Sequence, residues 1–175
     1  MSPFQKLNLS HNIDQIEYSD ELYSYGKGNI KFFKISKYLE DLLLSIIPNK
    51  YQNYFKGTCM TINGPCIKPH TDSDRIVAVN FYIKTPKAIT TFWKLKEDYV
   101  SHPVQVKGQT NGQVYEYKDL KLHKTFISNP MDLYVLDVTQ IHSVFNPTRQ
   151  KRTAYSLASN YITYKETLEF FEDFV

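Results

Sequence analysis

The chain has 175 residues, of which 42% are hydrophobic and 22% charged, a composition that suits one folded domain and argues against disorder. The net charge of +3 is small, so it identifies neither a nucleic acid nor a lipid surface as partner, although nucleic acid is not excluded. Residues 1–20 lack the apolar core of a secretory signal, and no apolar run reaches the roughly 18 residues of a membrane span. We therefore expect a cytoplasmic protein that does not enter a membrane.

The first predicted element is a helix near the end of an N-terminal helical or irregular region, residues 1–53. Within the stretch SKYLEDLLLSIIP the apolar residues recur at helical spacing: Leu39, Leu42, Leu43 and Ile46. Such spacing indicates a helix with one apolar side. Ser36 is placed to cap its start, and Pro48 is placed to end it. We expect this helix to form a thin layer over one face of a sheet.

Short apolar stretches separated by turn residues follow from residue 54. They are FKGTCMTI, IVAVNFYI, ITTFWKL, VYEYKDL, LYVLDV and TAYSLASNYI. Several short strands at this spacing are typical of a sandwich or jelly roll. We predict a mainly β fold in a single domain of residues 1–175, with its core in 54–162 and a C-terminal segment in 163–175. The less regular residues 97–129 are the expected lid or specificity insert.

A histidine and two aspartates stand at the start of a predicted strand, in the stretch KPHTDSDRIVAVNFYI. In a strand, residues two apart point to the same side, so His70 and Asp72 are predicted to converge on one metal ion. Asp74 competes with Asp72 for this role. Its spacing of four from His70 suits a helix rather than a strand end. We therefore expect Asp74 in a turn or in a salt bridge near Arg75.

A second histidine and an arginine follow in the stretch DLYVLDVTQIHSVFNPTRQKRTAYSLAS. With His70 and Asp72, His142 completes the two-histidine, one-carboxylate set of a non-haem Fe(II) site. Arg152 begins a strand and shares one side with Ser156. A buried guanidinium requires a carboxylate partner, which a bound 2-oxoacid would supply. Two neighbours compete for that role: Lys151, which points to the opposite side, and Arg149, which is expected in the turn.

These stretches together resemble the core of the Fe(II)- and 2-oxoglutarate-dependent oxygenases, and most closely their prolyl-hydroxylase-like branch. The resemblance covers roughly residues 54 to 162. It implies a double-stranded β-helix of the cupin-like kind, with iron bound by His70, Asp72 and His142 as the catalytic centre and 2-oxoglutarate bound by Arg152. It departs from the branch at TPKA, before TTFW, where the common glycine pair is missing.

The resemblance also implies the reaction. With O2, 2-oxoglutarate is oxidatively decarboxylated to succinate and CO2 while a substrate is hydroxylated, and a prolyl residue of a peptide or protein is the first substrate to consider. Because related halogenases carry a small residue in place of Asp72, its presence favours hydroxylation. The substrate class stays open among small molecules, peptides and proteins, and so does the oligomeric state.

Further polar residues are candidates for the pocket. Asn80 and Tyr82 share one side of their strand, and either they face the co-substrate, as Ser156 would beside Arg152, or they pack elsewhere. A second group is weaker as pocket residues and consists of Thr61, Asn63, Phe92 and Trp93. The remaining histidines show no convergent pattern: His11, His102 and His123.

Two other functions remain open at the level of sequence. A cupin-like metal enzyme would keep the three ligands without using 2-oxoglutarate, and a metal-free β-sandwich binding module would use His70 and Asp72 structurally. The two cysteines, Cys59 and Cys66, are too few for a zinc ribbon. They allow a disulfide, but they suit a reducing compartment equally well.

Overall fold

The computed structural model describes residues 1–9, 13, 22–25, 30–72, 74–99, 104–105 and 112–175. The strands of this part of the chain are β1 Phe4–Leu7, β2 Leu22–Tyr25, β3 Ile30–Phe33, β4 Phe55–Ile62, β5 Cys66–His70, β6 Val77–Lys84, β7 Ile89–Leu95, β8 Val104–Gln105, β9 Gln113–Val114, β10 Leu120–Ile127, β11 Leu133–Asp137, β12 His142–Phe145 and β13 Arg152–Ser159. The α-helices are α1 Lys37–Leu44 and α2 Tyr164–Glu169, and short 3-10 helices span Asn49–Tyr54, Tyr117–Asp119 and Glu172–Phe174.

The strands form two antiparallel sheets. The larger sheet has the order β1-β11-β6-β13-β4-β3-β2, and the smaller has the order β10-β7-β12-β5-β9-β8. Eight strands form a nested pattern across both sheets, in which β4 pairs with β13, β5 with β12, β6 with β11 and β7 with β10. This pattern is a double-stranded β-helix, the jelly roll. The predicted mainly β fold is therefore confirmed.

The expectation of a helical or irregular region over residues 1–53 is wrong for three of its segments. Strands β1, β2 and β3 lie there and extend the larger sheet, β1 against β11 and β3 against β4. Each has only four residues. A segment of that length carries too few residues to show a periodic apolar pattern, and its partners decide its conformation.

The expectation that residues 97–129 form an irregular insert is wrong for β10. This strand is one of the eight of the jelly roll and pairs along its length with β7. It lies at the edge of the smaller sheet, most of its side chains are not buried, and its register shifts between Leu122 and Lys124. A shift of this kind interrupts the alternation of apolar and polar residues. Residues 100–103 and 106–111 lie outside the described residues, so a lid there stays a prediction.

Both α-helices pack on the outer face of the larger sheet. The N-cap of α1 is Ser36, as predicted, and its hydroxyl accepts the backbone N–H of Leu39. Helix α2 begins with a capping box in which Thr163 and Glu166 satisfy each other's backbone N–H groups. The C-terminal segment is thus helical where it follows Thr163. Among the described residues, no helix is long and apolar enough to cross a membrane.

Two adjacent leucines in the last turn of α1 offer a matched test of this packing. Leu43 is fully buried against the sheet, whereas Leu42 is 42% exposed. We expect Leu43→Ala to lower the free energy of unfolding by about 2–5 kcal/mol, because it leaves a cavity. Leu42→Ala should change it by less than about 1 kcal/mol. Urea unfolding of both variants measures the difference, and equal losses would contradict the packing described.

Candidate active site

A cavity of about 570 Å³ lies between the two sheets, with its wall drawn from both. The residues that the sequence assigned to metal and co-substrate all lie on this wall: His70, Asp72, Asn80, Tyr82, His142, Arg152 and Ser156. Side chains on one side of β6 and β13 face this interior, and those on the other side pack against the helices. The sheets thus bring residues from distant parts of the sequence to one place.

The two predicted histidine ligands are direct neighbours across a pair of strands. His70 ends β5 and His142 begins β12, where the two are register partners with ring centroids 4.4 Å apart. The Nδ1 of His70 donates to the Lys68 carbonyl at 2.8 Å, and the Nδ1 of His142 donates to the Gln140 carbonyl at 2.9 Å. Because a carbonyl can only accept, each ring keeps its Nε2 lone pair for a metal.

Asp72 reaches the histidines from a loop rather than from the strand. Strand β5 ends at His70, and the backbone N–H of Asp72 donates to the Val138 carbonyl at 3.0 Å. The prediction that His70 and Asp72 share one side of a strand is therefore wrong, although their two side chains do converge. The Asp72 carboxylate lies 3.5 Å from His70 Nε2 and 2.8 Å from Arg75 Nε.

The competing carboxylate does not reach the cavity. Asp74 is 46% exposed at its side chain, lies 3.7 Å from Arg75 Nε and is not on the cavity wall. Arg75 is thus closer to Asp72 than to Asp74. It also lies over the ring of Phe32, with its guanidinium carbon 4.7 Å from the ring centroid. This contact holds the guanidinium beside the candidate metal ligand.

The three side chains can present one donor atom each to a single ion. These atoms in His70, Asp72 and His142 all lie within 4.8 Å of one another. Two imidazoles and one carboxylate that leave positions open are the donor set of non-haem iron sites. The residues present therefore fit the metal that the sequence suggested.

The protonation states of these groups also suit metal binding. Burial opposes ionisation of Asp72, but the Arg75 guanidinium and His70 outweigh it, and its pKa lies well below the usual range. Burial, reinforced by His70, lowers the pKa of His142 to about 4. Burial also acts to lower the pKa of His70, but the hydrogen bond and charge of Asp72 raise it overall. At neutral pH, Asp72 is thus ionised and His142 is neutral, as ligands must be.

Arg152 is buried in the cavity wall, with 2% of its surface exposed. Its Nη2 donates to the hydroxyls of Thr90 and Ser128 at 3.1 and 3.4 Å, and its guanidinium carbon lies 4.7 Å from the ring centroid of Tyr82. Its Nε has no hydrogen-bond partner, and no described carboxylate forms an ion pair with it. The site therefore holds a buried cation among neutral protein groups.

The other predicted pocket residues lie in the strand of Arg152 itself, β13, and in the neighbouring β6. Asn80 is opposite Ser156 in the register of β6 and β13, and its amide nitrogen lies 3.5 Å from the Tyr82 hydroxyl. All three are at least nine-tenths buried. The side-chain oxygen of Asn80 has no hydrogen-bond partner in the protein. The wall thus offers several polar groups to a ligand.

The weaker pocket candidates do not line the cavity. Phe92 is fully buried in the core between the sheets, and the Trp93 indole donates to Ser143 at 2.8 Å. Thr61 is buried away from the wall, and Asn63 is exposed. His123 lies in β10 without joining the ligand group, whereas His11 and His102 lie outside the described residues. Of the competitors of Arg152, Arg149 is exposed and, like Lys151, is not on the wall.

Sequence reasoning missed four polar residues around the site. Thr90 and Ser128 supply the hydroxyls at Arg152, Lys68 lies on the wall, and Arg75 pairs with Asp72. Lys68 lies two residues from His70, but the register of β5 with β12 shifts between Ile67 and His70, so strand alternation does not assign its side. The contacts of the other three depend on tertiary packing.

The two cysteines are free, and their surroundings predict different reactivity. Burial raises the pKa of Cys59 to about 12, whereas Cys66 is exposed at the cavity wall. Because the thiolate is the reactive form, we expect Ellman's reagent at pH 8 to modify one thiol in the native protein and two in guanidinium. Cys66→Ser should abolish the reaction of the native protein. Rapid labelling of Cys59 in that variant would contradict the burial.

Comparison with known proteins gives weak similarities only. No protein-family model and no curated protein matches the sequence. Among solved structures, vicilin from Corylus avellana (hazelnut) matches with a TM-score of 0.46 and 7% identity over 81% of this chain and 31% of that chain. Oxalate decarboxylase from Bacillus subtilis, which has Mn(II) centres, matches with a TM-score of 0.42 and 12% identity over 80% of this chain and 28% of that chain.

A further match is vicilin from Solanum melongena, with a TM-score of 0.44 and 12% identity over 78% of this chain and 30% of that chain. The chain therefore spans less than a third of the length of each of these solved chains. The jelly-roll assignment rests on the strand order itself, and the matches assign no activity to this chain.

Proposed function

We propose that the protein is an Fe(II)- and 2-oxoglutarate-dependent oxygenase that hydroxylates a substrate and forms succinate and CO2. The observation that carries this proposal is the pairing, in one cavity, of a two-histidine, one-carboxylate group with a buried arginine that lacks an acidic partner among the described residues. A metal site alone or a buried arginine alone would fit many functions, whereas this co-substrate requires both.

The role of the ligand group follows from its hydrogen bonds. His70 and His142 are held by backbone carbonyls, so their Nε2 atoms keep their direction when the ion is exchanged. Asp72 supplies the negative charge and is itself held by Arg75. Bound Fe(II) would supply the activation of dioxygen, which no protein side chain can perform alone.

The role of Arg152 follows from the cost of its burial. Two hydroxyl oxygens accept hydrogen bonds from one nitrogen of the guanidinium, but they carry no charge to balance its positive charge. A planar guanidinium matches a carboxylate through two parallel hydrogen bonds. We infer that it binds the carboxylate of 2-oxoglutarate that lies farther from the metal. Tyr82, Asn80 and Ser156 lie on the same wall and are placed to complete the polar contacts of that co-substrate.

An anaerobic titration tests the proposal directly. Apoprotein is titrated with Fe(II), and 2-oxoglutarate is then added while visible absorption and heat are recorded. We expect one metal ion to bind per chain, followed by a visible charge-transfer band on addition of 2-oxoglutarate. Admission of O2 should then release succinate, measured by mass spectrometry. Absence of both the band and succinate would sink the proposal.

A cupin-like metal enzyme that does not use 2-oxoglutarate is the second candidate. It is favoured by the hydroxyls of Thr90 and Ser128, which give Arg152 partners within the protein and could make this arginine a structural group. Metal would then bind with unchanged stoichiometry, but 2-oxoglutarate would produce neither heat nor succinate. The same titration therefore separates the two candidates.

A further inference from the structure

The charges on the cavity wall do not balance once the proposed ligands are counted. Four charged residues are among the described residues of the wall: Lys68, Arg75, Arg152 and Asp72. The two histidines are counted as neutral metal ligands. Three are positive and one is negative, which leaves an excess of two positive charges. A divalent metal and a 2-oxoglutarate dianion cancel each other. The wall therefore stays positively charged in the loaded site, which favours an anionic second molecule.

The two cations that the co-substrate does not bind are Lys68 and Arg75, and Arg75 has the carboxylates of Asp72 and Asp74 at 2.8 and 3.7 Å from its Nε. In the proposed function, Arg152 pairs with a carboxylate of 2-oxoglutarate. Lys68 is exposed and lies on the cavity wall two residues before the ligand His70, whose Nδ1 donates to the Lys68 carbonyl. Arg75 sits beside Asp72, but metal binding draws the charge of that carboxylate away from the guanidinium. Lys68 and Arg75 are thus the cations of the wall that remain for a second molecule.

The rest of that wall is largely apolar. Ile30 and Phe32 of β3, Met60 of β4, and Ile67 and Val144 of the smaller sheet contribute side chains to it. The ring of Phe32 also packs against the Arg75 guanidinium, so an apolar surface and a cation adjoin each other. A cavity of about 570 Å³ is within the range of sites that enclose small ligands.

We propose that the substrate is a small molecule with an apolar body and one carboxylate or phosphate group, and that Lys68 and Arg75 bind this anion. The inference rests on the proposed function, because it assigns Arg152 to 2-oxoglutarate. It replaces the prolyl peptide as the first substrate to consider. Charge complementarity fixes the anionic end of the molecule near the metal ligands, and the apolar wall receives the remainder.

Matched acids and neutral analogues test this inference. The probes are octanoate and 4-phenylbutyrate, their primary amides, and octylphosphonate. Binding is measured by calorimetry on Zn(II)-loaded protein saturated with 2-oxoglutarate, so that turnover is not needed. We expect at least one acid to bind about tenfold or more tightly than its amide. Comparing the affinities of octylphosphonate and octanoate shows whether the site prefers a phosphate-like group or a carboxylate. Equal affinities for acid and amide, or no binding of any acid, would overturn the inference.

Variants locate the anion site. Lys68→Met should reduce the preference for acid over amide to about threefold or less, whereas Lys165→Met, an exposed lysine of α2, should leave it unchanged. An unchanged preference in Lys68→Met would contradict the assignment. Titration with Zn(II) checks that the metal site of each variant is intact.

The preference should also survive in Arg152→Met, because the two anion sites are separate. If that variant loses it, the acid had occupied the Arg152 site and the inference fails. If wild-type protein binds no 2-oxoglutarate, the proposed function fails. The preference for acid over amide is then measured in Arg152→Met, so the substrate inference is still tested separately.

Discussion

Replacing Arg152 with methionine is expected to weaken 2-oxoglutarate binding by about 100-fold or more, equivalent to about 2.7 kcal/mol. The variant removes the cation that would pair with the distal carboxylate and leaves the metal ligands untouched. Stoichiometric metal binding should therefore persist. Because methionine fills similar volume without a buried charge, the melting temperature should hold or rise. Calorimetric titration of the metal-loaded variant with 2-oxoglutarate measures the first effect, and thermal unfolding measures the second.

Two further variants serve as comparisons for the effect of Arg152→Met. Arg152→Lys keeps the charge but loses the planar fork, so an intermediate loss of about tenfold is expected. Arg149→Met removes an exposed arginine that is not on the cavity wall and should have no effect. If Arg152→Met changes the melting temperature but not 2-oxoglutarate affinity, the arginine is structural and the second candidate function is favoured.

Replacing His142 with alanine is expected to weaken Fe(II) or Co(II) binding by more than about 100-fold, which is beyond the effect of losing a supporting hydrogen bond. His142 is one of three donors within 4.8 Å of one another, and two donors cannot hold the ion in a fixed geometry. Absorption of Co(II) in the visible range reports the loss without requiring any enzymatic activity.

His123→Ala is the matched control, because it removes a histidine of β10 that is not in the ligand group. Since His142→Ala also removes ring contacts in the interior, Asp72→Asn provides an isosteric second variant. Circular dichroism verifies the fold of each. Stoichiometric, spectroscopically unchanged Co(II) in both Asp72→Asn and His142→Ala would exclude a metal centre at these residues.

The jelly roll and the position of the cavity could be predicted from sequence because their signals are local. A mostly apolar run marks β6, and the period of two put Asn80 with Tyr82 and Ser156 with Arg152 on shared sides, without deciding which sides face the interior. The ligand group was recognisable from residue type and order. Its convergence was predicted for the wrong reason, because Asp72 lies beyond the end of β5.

Features that depend on tertiary pairing escaped prediction. Strands β1 to β3 are too short to carry a pattern, and β10 is a half-exposed edge strand with a register shift. The closer approach of Arg75 to Asp72 than to its sequence neighbour Asp74 depends on the conformation of the connecting loop. Likewise, Thr90 and Ser128 meet Arg152 across large sequence separations, which no local pattern records.

The cross-strand position of His70 and His142 would tie a bound metal ion to the folding of the chain. A slip of one residue between β5 and β12 would turn His142 to the opposite side of the sheet and separate the ligands. An ion that binds both histidines therefore stabilises only the native register, by an amount that grows with its concentration. Since 72 residues separate the two histidines in sequence, their pairing closes a long loop, which is costly before other contacts form. A bound metal ion would thus stabilise the jelly roll with native strand pairing and no form with shifted pairing.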